Sequence, residues 1–318
     1  MLFVDNHNHH DPSFNLALEE YVVRNIAKDK DILLFYINEP AIIIGRHQNT
    51  IEEIAVDYVE QHGIHVVRRI SGGGAVYHDL GNLNFSFTVP KTRGAFIDFQ
   101  KFTAPVVEVL RNMGVPAELS GRNDIVVEGK KISGNAQYIS STHIMSHGTL
   151  LYDSDLDEIG HALRVKPSKI ESKGIKSVRT PTDILQFRQQ VLESIFKGAT
   201  VVPQVGLTPA DWQAVEQLAQ SRYRSWEWNY GASPAFNLKR ETRYAGGGIE
   251  ALLMVEKGIL ESVKFYGDFF SQRDVSELEE LLANCPYEPQ SLGQRLEQVD
   301  VNQYFSGLTA PELLELLY

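Results

Sequence analysis

Behind Asp11-Pro12-Ser13, apolar side chains recur at Phe14, Leu18, Tyr21 and Val22, a stripe that predicts a helix started by a short polar cap. Ile32–Ile37 and Ala41–Ile44 are continuous β-branched runs parted by Asn38-Glu39-Pro40, and they predict two strands. Asn84–Val89 alternates, with Phe85, Phe87 and Val89 on one face, while Phe102–Met113 returns to helical spacing and stops at Gly114 and Pro116. Ile125–Val127, Lys131–Ile139 and Gly148–Tyr152 predict strands; Asp155–Leu163 and Pro209–Ser225 predict helices. Gly231 to Gly248 carries no clear period and reads as loop-rich. Beyond it, Glu250–Val255 and Ile259–Tyr266 flank a Lys257-Gly258 turn, a hairpin pattern, and Val275–Ala283 and Pro311–Leu317 predict helices. The last carries a capping box, Thr309 with Glu312, and a staple of Leu308 against Leu313. Strands crowd the first half with helices between them. The pattern predicts an α/β (α+β) chain with a large mixed sheet in residues 1–244 and a small accessory domain in 245–318, with Gly246–Gly248 as linker.

The length of 318 residues fits such a division, since one core rarely serves so long a chain. Hydrophobic content of 43% beside 22% charged residues is ordinary for a globular protein. No apolar run approaches the ~18 residues of a membrane span, and Met1-Leu2-Phe3-Val4-Asp5 lacks the basic and apolar regions of a signal peptide. A single cysteine, Cys285, excludes an internal disulfide framework and fits the reducing cytoplasm. A net charge of −11 argues against generic nucleic-acid binding, which needs a basic surface.

Against that acidic background, Arg68-Arg69-Ile70-Ser71-Gly72-Gly73-Gly74-Ala75-Val76-Tyr77-His78-Asp79 stands out as basic and glycine-rich. A β-like run leads in and another leads out, so the glycines occupy a loop between strands. Glycine permits positive φ and a close backbone approach, and converging peptide N–H groups bind anions. Two arginines add charge-assisted donors. Three further segments set glycine beside polar or cationic side chains: Ser120-Gly121-Arg122-Asn123-Asp124, Lys130-Lys131-Ile132-Ser133-Gly134-Asn135-Ala136 and Lys173-Gly174-Ile175-Lys176-Ser177-Val178-Arg179. The first of these offers hard oxygen ligands suited to Mg²⁺. The next places one compact charge beside a glycine, and the last reads as a cationic lid. His7, His9 and His10 lack complementary ligands at metal spacing and read as an exposed loop. No P-loop, dinucleotide fingerprint or nucleophile elbow occurs.

Together with Ser146-His147-Gly148-Thr149-Leu150 and Trp226-Glu227-Trp228-Asn229-Tyr230-Gly231, these segments resemble the lipoate–protein ligase family, in order and over nearly the whole chain. The resemblance implies a catalytic domain shared with biotin ligases and a small C-terminal domain. It implies ATP, Mg²⁺ and lipoate as ligands. Lipoate's carboxylate would attack the α-phosphate of ATP, and the lipoyl-AMP formed would pass its acyl group to a lysine of an apo lipoyl domain. Acceptors would be 2-oxoacid dehydrogenase acyltransferases or the glycine cleavage carrier protein, with no role for nucleic acid or membrane. By match to the family, Lys131 would be catalytic and Asp124 would hold Mg²⁺. Arg69, Ser71, Gly72, Gly73, Gly74, Ala75, Val76, Tyr77, His78, Asn84, Asn123, Ser133, Gly134, Ala136 and His147 would surround lipoate and adenylate. Lys173, Gly174, Lys176, Ser177, Val178 and Arg179 would close over them. Tyr138 to Met145 lacks the cation some members carry there, and Tyr138 is expected to pack in its stead.

Three rivals remain. Acyl transferases of the same fold work through a cysteine thioester, and residues 1–284 contain no cysteine. Biotin ligases carry a Gly-Arg-Gly-Arg loop that is missing. A non-catalytic carrier or sensor of lipoyl groups would have no need of Lys131, Asp124 and the cationic lid.

Overall fold

The computed structural model describes residues 1–91, 99–121, 123–164, 177–178, 183–197, 199, 201–230 and 237–318. Lys173, Gly174, Lys176 and Arg179 therefore lie outside the described residues.

A seven-stranded mixed sheet forms the centre, in the order β1 (Leu2–Asp5), β2 (Ile32–Tyr36), β6 (Asn82–Pro90), β10 (His143–Leu151), β9 (Lys130–Ile139), β8 (Asp124–Val127), β7 (Ala117–Ser120). β1 and β2 run parallel and every other neighbour is antiparallel. All five residues of β2 are buried, because the sheet is covered on both faces. Leu33 and Phe35 pack with α4 (Phe99–Asn112) and α6 (Ile184–Ile195) on one side. Leu34 and Tyr36 meet α1 (Pro12–Tyr21) and α7 (Pro209–Leu218) on the other. Alternation along the strand thus aims Tyr36 at the α1 face.

α1 starts where the pattern predicts. Asp11 accepts from the N–H groups of Ser13 and Phe14, and Pro12 occupies the first turn, where no N–H is needed. Its two buried carboxyl groups are both held: Glu20 takes Arg24, Arg222 and the Tyr223 hydroxyl, each within 2.8 Å, and Glu19 faces the sheet.

A second, three-stranded sheet in the order β4 (His65–Arg68), β3 (Ala41–Ile44), β5 (Val76–His78) stands beside the α1 face. β4 and β5 flank β3, so the glycine loop crosses from one edge to the other and is no hairpin. α2 (Thr50–Glu53), α3 (Val56–Gln61) and α5 (Leu156–Ala162) lie near its outer side.

The C-terminal unit has its own core around a sheet in the order β11 (Leu238–Tyr244), β12 (Gly247–Glu256), β13 (Ile259–Gly267), β14 (Cys285–Pro286), with α9 (Val275–Leu282), α10 (Pro289–Leu296) and α11 (Ala310–Leu317). The Thr309–Glu312 capping box is present, and Leu308 and Leu313 are buried. β11 falls within the segment read as loop. Its residues are mostly exposed and four of the seven are charged, so an edge strand here has no apolar alternation to betray it. Gly246–Gly248 is correspondingly no free linker. It turns between β11 and β12, where a Cβ on Gly246 would lie 2.1 Å from the Ser306 carbonyl oxygen. α6 and α10 also escaped the sequence pattern.

Candidate functional site

Between the two sheets of the first unit lies a cavity of about 580 Å³, its open mouth included. Leu16 of α1, Tyr36 of β2, Ile43 of β3 and the side chains of Ala75 and Val76 supply its apolar wall. Asn84, His147 and Thr149 line it from the central strands, and Asn123, Lys131, Gly134, Asn135 and Ala136 close the other end. Arg69, Gly73, Gly74 and His78 complete it. Sequence pairing explains the grouping: Asn84 stands opposite both Tyr36 and Thr149, and His147 opposite Ala136, so one face of four adjacent strands forms the floor.

Lys131 owes its placement to a bulge. Val126 pairs with Lys131 and Ile125 with Ser133, which leaves Ile132 as an extra residue in β9. The bulge shifts the strand's phase and turns Lys131 over Gly134. A Cβ on Gly134 would lie 3.2 Å from both Cε and Nζ of Lys131, so glycine leaves the room the ammonium uses. Lys131 Nζ sits 2.9 Å from Asp124 Oδ1. Asn123 and Asn135 clamp β8 to β9 by reciprocal amide bonds, and the Gly134 N–H donates to Thr149 Oγ1 at 3.1 Å. A Cβ on Gly148 would lie 2.0 Å from Asn135 Oδ1, so the second glycine makes space for that amide.

At the opposite end a buried chain of hydrogen bonds runs behind the wall. Glu19 holds His147 Nδ1 at 2.9 Å and accepts from the Tyr36 hydroxyl at 3.2 Å. With the proton thereby on Nδ1, Ser71 Oγ donates to His147 Nε2 at 2.6 Å and accepts from Arg69 Nε at 3.0 Å. Burial and the neighbouring Glu19 carboxyl push the Tyr36 phenol well up.

Both arginines depart from the expected role. Arg69 donates to the carbonyls of Ile43, Gly72 and Gly74 at 3.1, 2.7 and 2.8 Å, and burial lowers it to about 10, so it stays charged while most of its N–H groups are engaged. It borders the cavity and staples the glycine loop. Arg68 reaches the carbonyls of Gly45, Gln48, Trp228 and Asn229 and the Thr50 hydroxyl. Trp228 Nε1 returns a bond to the Arg68 carbonyl, so the Trp-Glu-Trp-Asn segment, α8 (Trp226–Asn229), is a strap fixed to the loop's base.

Two of the three glycines meet the second unit. The Gly73 N–H, at φ +92°, donates to the Phe269 carbonyl at 3.2 Å, and a Cβ on Gly72 would lie 2.3 Å from that same oxygen. Phe270 packs with Phe99 and Ala136 beside the cavity, and His47 stacks on Phe269. Ser71, Gly72, Tyr77 and Ser133 do not border the cavity. Tyr77 faces the cluster of Ile42 and Ile44, and Ser133 bonds Asn135. Ser177 donates to the Ser154 carbonyl, and Val178 is buried against Leu151 in the core on the far face. Tyr138 packs against the hydrophobic cluster on the α1 side and does not border the cavity. Sequence reasoning left out Leu16, Tyr36, Ile43, Asn135, Gly148 and Thr149 as lining residues. Asn135, Gly148 and Thr149 lay inside motifs already singled out; the others carry no local signal.

Residues 11–194 match the model of the lipoyl protein ligase A/B catalytic domain, and residues 233–317 match that of the bacterial lipoate protein ligase C-terminus. The chain belongs to the lipoate–protein ligase family. It is 50% identical to lipoate-protein ligase LplJ of Bacillus subtilis (strain 168), over the full length of both. Its fold is similar to that of P. falciparum LipL1 in complex with lipoate, at a TM-score of 0.79 and 22% identity over 94% of each chain. A bipartite lipoate protein ligase of Thermoplasma acidophilum, studied with its E2 lipoyl domain, gives a TM-score of 0.62 at 27% identity, over 74% of this chain and 98% of that one. A lipoate-protein ligase A bound with ATP gives 0.60 at 28%, over 73% and 98%. The mixed sheet and the accessory unit are those of the family, and the chain is a lipoate–protein ligase enzyme. Among the described residues, no helix is long and apolar enough to cross a membrane.

Proposed function

We propose that this ligase works through lipoyl-AMP. Lipoate's carboxylate attacks the α-phosphorus of ATP, the bond to pyrophosphate breaks, and the mixed anhydride stays in the cavity. The ε-amine of an acceptor lysine then attacks the lipoyl carbonyl, the amide forms, and AMP leaves with the bonding pair. The observation that carries this reading is Lys131 Nζ, held by Asp124 over Gly134 at the polar end of a cavity whose other wall is apolar. An ammonium fixed there faces a carboxylate whose chain lies along Leu16, Ile43, Ala75 and Val76, and it offsets the charge that develops at the carbonyl and phosphate oxygens.

ATP would enter from the wider cleft between the two units, which Asn123, Asp124 and Phe270 border. Mg²⁺ travelling with its phosphates asks for one or two protein carboxylates, and the single Asp124 fits that need; among the described residues no group of three or more His, Cys, Asp or Glu could hold an ion alone. Bound there, Mg²⁺ would neutralise phosphate charge. Ser71, Gly72, Tyr77 and Ser133 act from behind the wall in this reading, and Ser177 and Val178 anchor the segment expected to close over the adenylate. Apo lipoyl domains of 2-oxoacid dehydrogenase acyltransferases or of the glycine cleavage carrier protein are the acceptors, and the unpaired Cys285 suits a cytoplasmic enzyme. The accessory unit begins at β11 in this proposal, because that strand pairs with β12. Cysteine-based transfer is disfavoured: Cys285 is buried in the C-terminal core and its thiol is pushed up by burial.

The test is the intact mass of an apo lipoyl domain after incubation with enzyme, Mg-ATP and lipoate. A lipoyl-amide increment that requires ATP is expected. An increment of equal size without ATP would overturn the adenylate route.

A further inference from the structure

A file of buried amides leads from the first loop to the cavity. The Asn8 N–H donates to Asn6 Oδ1, and Asn6 Nδ2 donates to the His9 carbonyl at 2.9 Å and to Asn15 Oδ1 at 3.0 Å. Asn15 Nδ2 donates to the same His9 carbonyl and to Asn38 Oδ1, both at 2.8 Å. Asn38 Nδ2 meets His78 Nδ1 at 3.0 Å. Backbone groups, which cannot exchange donor for acceptor, fix Asn6 and Asn15, and Asn15 then fixes Asn38. The Asn38 amide must donate to His78 Nδ1, so the imidazole carries its proton on Nε2. Asn6, Asn15 and Asn38 are at most 1% exposed and His78 3%. Burial, with the charge of Arg69 nearby, lowers His78 to about 3, which keeps it neutral at working pH. His78 Nε2 is buried and has no hydrogen-bond partner, and its ring borders the cavity.

We propose that His78 Nε2–H is the specificity donor of the acyl pocket, placed to hydrogen-bond a dithiolane sulfur and so to favour the ring-bearing acid over a hydrocarbon of the same shape. This rests on the cavity being the lipoate site. A buried donor left facing hydrocarbon loses its partner, and that loss is what discriminates between otherwise similar ligands. Sulfur is a weak acceptor, so the effect is about tenfold rather than the larger factors seen for hydroxyl groups. The neighbours fit an acyl tail at this end: His78 and Val76 lie on the same face of β5, and Val76 stands opposite Ile43.

The probe pair is lipoate and 5-cyclopentylpentanoate, whose ring has the same size and no sulfur. Direct binding and pyrophosphate release are measured for the wild type, His78→Phe and Asn38→Asp. The wild type is expected to prefer lipoate about tenfold, and His78→Phe to lose that preference. Asn38→Asp replaces the donor at Nδ1 with an acceptor, moves the proton to Nδ1, and is expected to abolish the preference without altering the lining. Long-range ¹H–¹⁵N spectra report the tautomer directly: a proton on Nε2 in the wild type supports the assignment, and one on Nδ1 overturns it even where a variant fails to fold. Equal use of the two acids by the wild type would overturn the proposal while leaving the ligase reading intact. Pyrophosphate release with neither acid would remove both.

Discussion

The substitution Arg69→Lys separates two roles for that cation. If Arg69 were a ligand cation, lysine would keep the charge and mainly weaken lipoate binding. The structure makes it a staple: the buried guanidinium reaches the Ile43, Gly72 and Gly74 carbonyls and Ser71 Oγ from three nitrogens. An ammonium donates from one point, whereas the guanidinium spreads its donors over a planar fork. The shorter fan of donors would therefore leave about two of these acceptors without a partner, at about 1–3 kcal/mol each. The expected loss is about 2–6 kcal/mol, a large share of the ~5–15 kcal/mol that holds a typical domain. Guanidinium titration followed by tryptophan fluorescence measures it cleanly, since Trp212, Trp226 and Trp228 all lie in the first unit. A variant within ~0.5 kcal/mol of wild type, the range of ordinary surface changes, and with a lipoate KM raised about tenfold or more would refute the staple and restore the ligand role.

Lys131→Met should cut pyrophosphate release about 10²–10³-fold, the usual effect of removing one electrostatic stabiliser. Unchanged release would dissociate Lys131 from the chemistry. His78 is neutral in the fold down to about pH 3 but titrates near 6.5 when unfolded, so only the unfolded chain takes up a proton between these values. Stability attributable to it is complete above pH 6.5 and is lost as pH falls; between pH 7 and pH 5 the loss is about 2 kcal/mol. Urea midpoints at the two pH values should show His78→Phe losing less than the wild type, and an identical loss would count against the assignment. Gly148→Ala brings a Cβ against Asn135 Oδ1 and the Phe85 ring, and a drop of about tenfold or more in kcat/KM for lipoate is expected; normal kinetics would show that the wall yields. Glu19→Gln breaks the bond pattern behind His147, so a lowered melting temperature with Lys131 chemistry intact is expected by calorimetry and single-turnover adenylation.

Much of the scaffold was legible because burial writes itself into short-range spacing. The α1 cap, the alternation of Phe85 and Phe87 and the Thr309–Glu312 box are all local patterns, and each appears where it was expected. β11 was not legible, since an exposed edge strand rich in Lys, Arg and Glu has no hydrophobic face. The resemblance to the family, carried by motifs that set glycine beside cations at strand ends, picked out twelve residues that line the cavity, among them Lys131, Gly134, Asn84 and His147.

From the sequence alone came many of the elements, the expectation of two parts and the family. It could not say what Arg68 and Arg69 hold, because a guanidinium beside three glycines reads as an anion site unless the carbonyls it meets are known. Several of those carbonyls come from residues far away in the chain, such as Ile43, Gln48 and Trp228. Nor does local sequence encode the bulge at Ile132 that turns Lys131 over Gly134, or the amide file that sets the proton on His78. Spacing records which residues share a face, but the partner of a polar group is decided by strands and loops brought together from distant positions, and only the tertiary fold brings them.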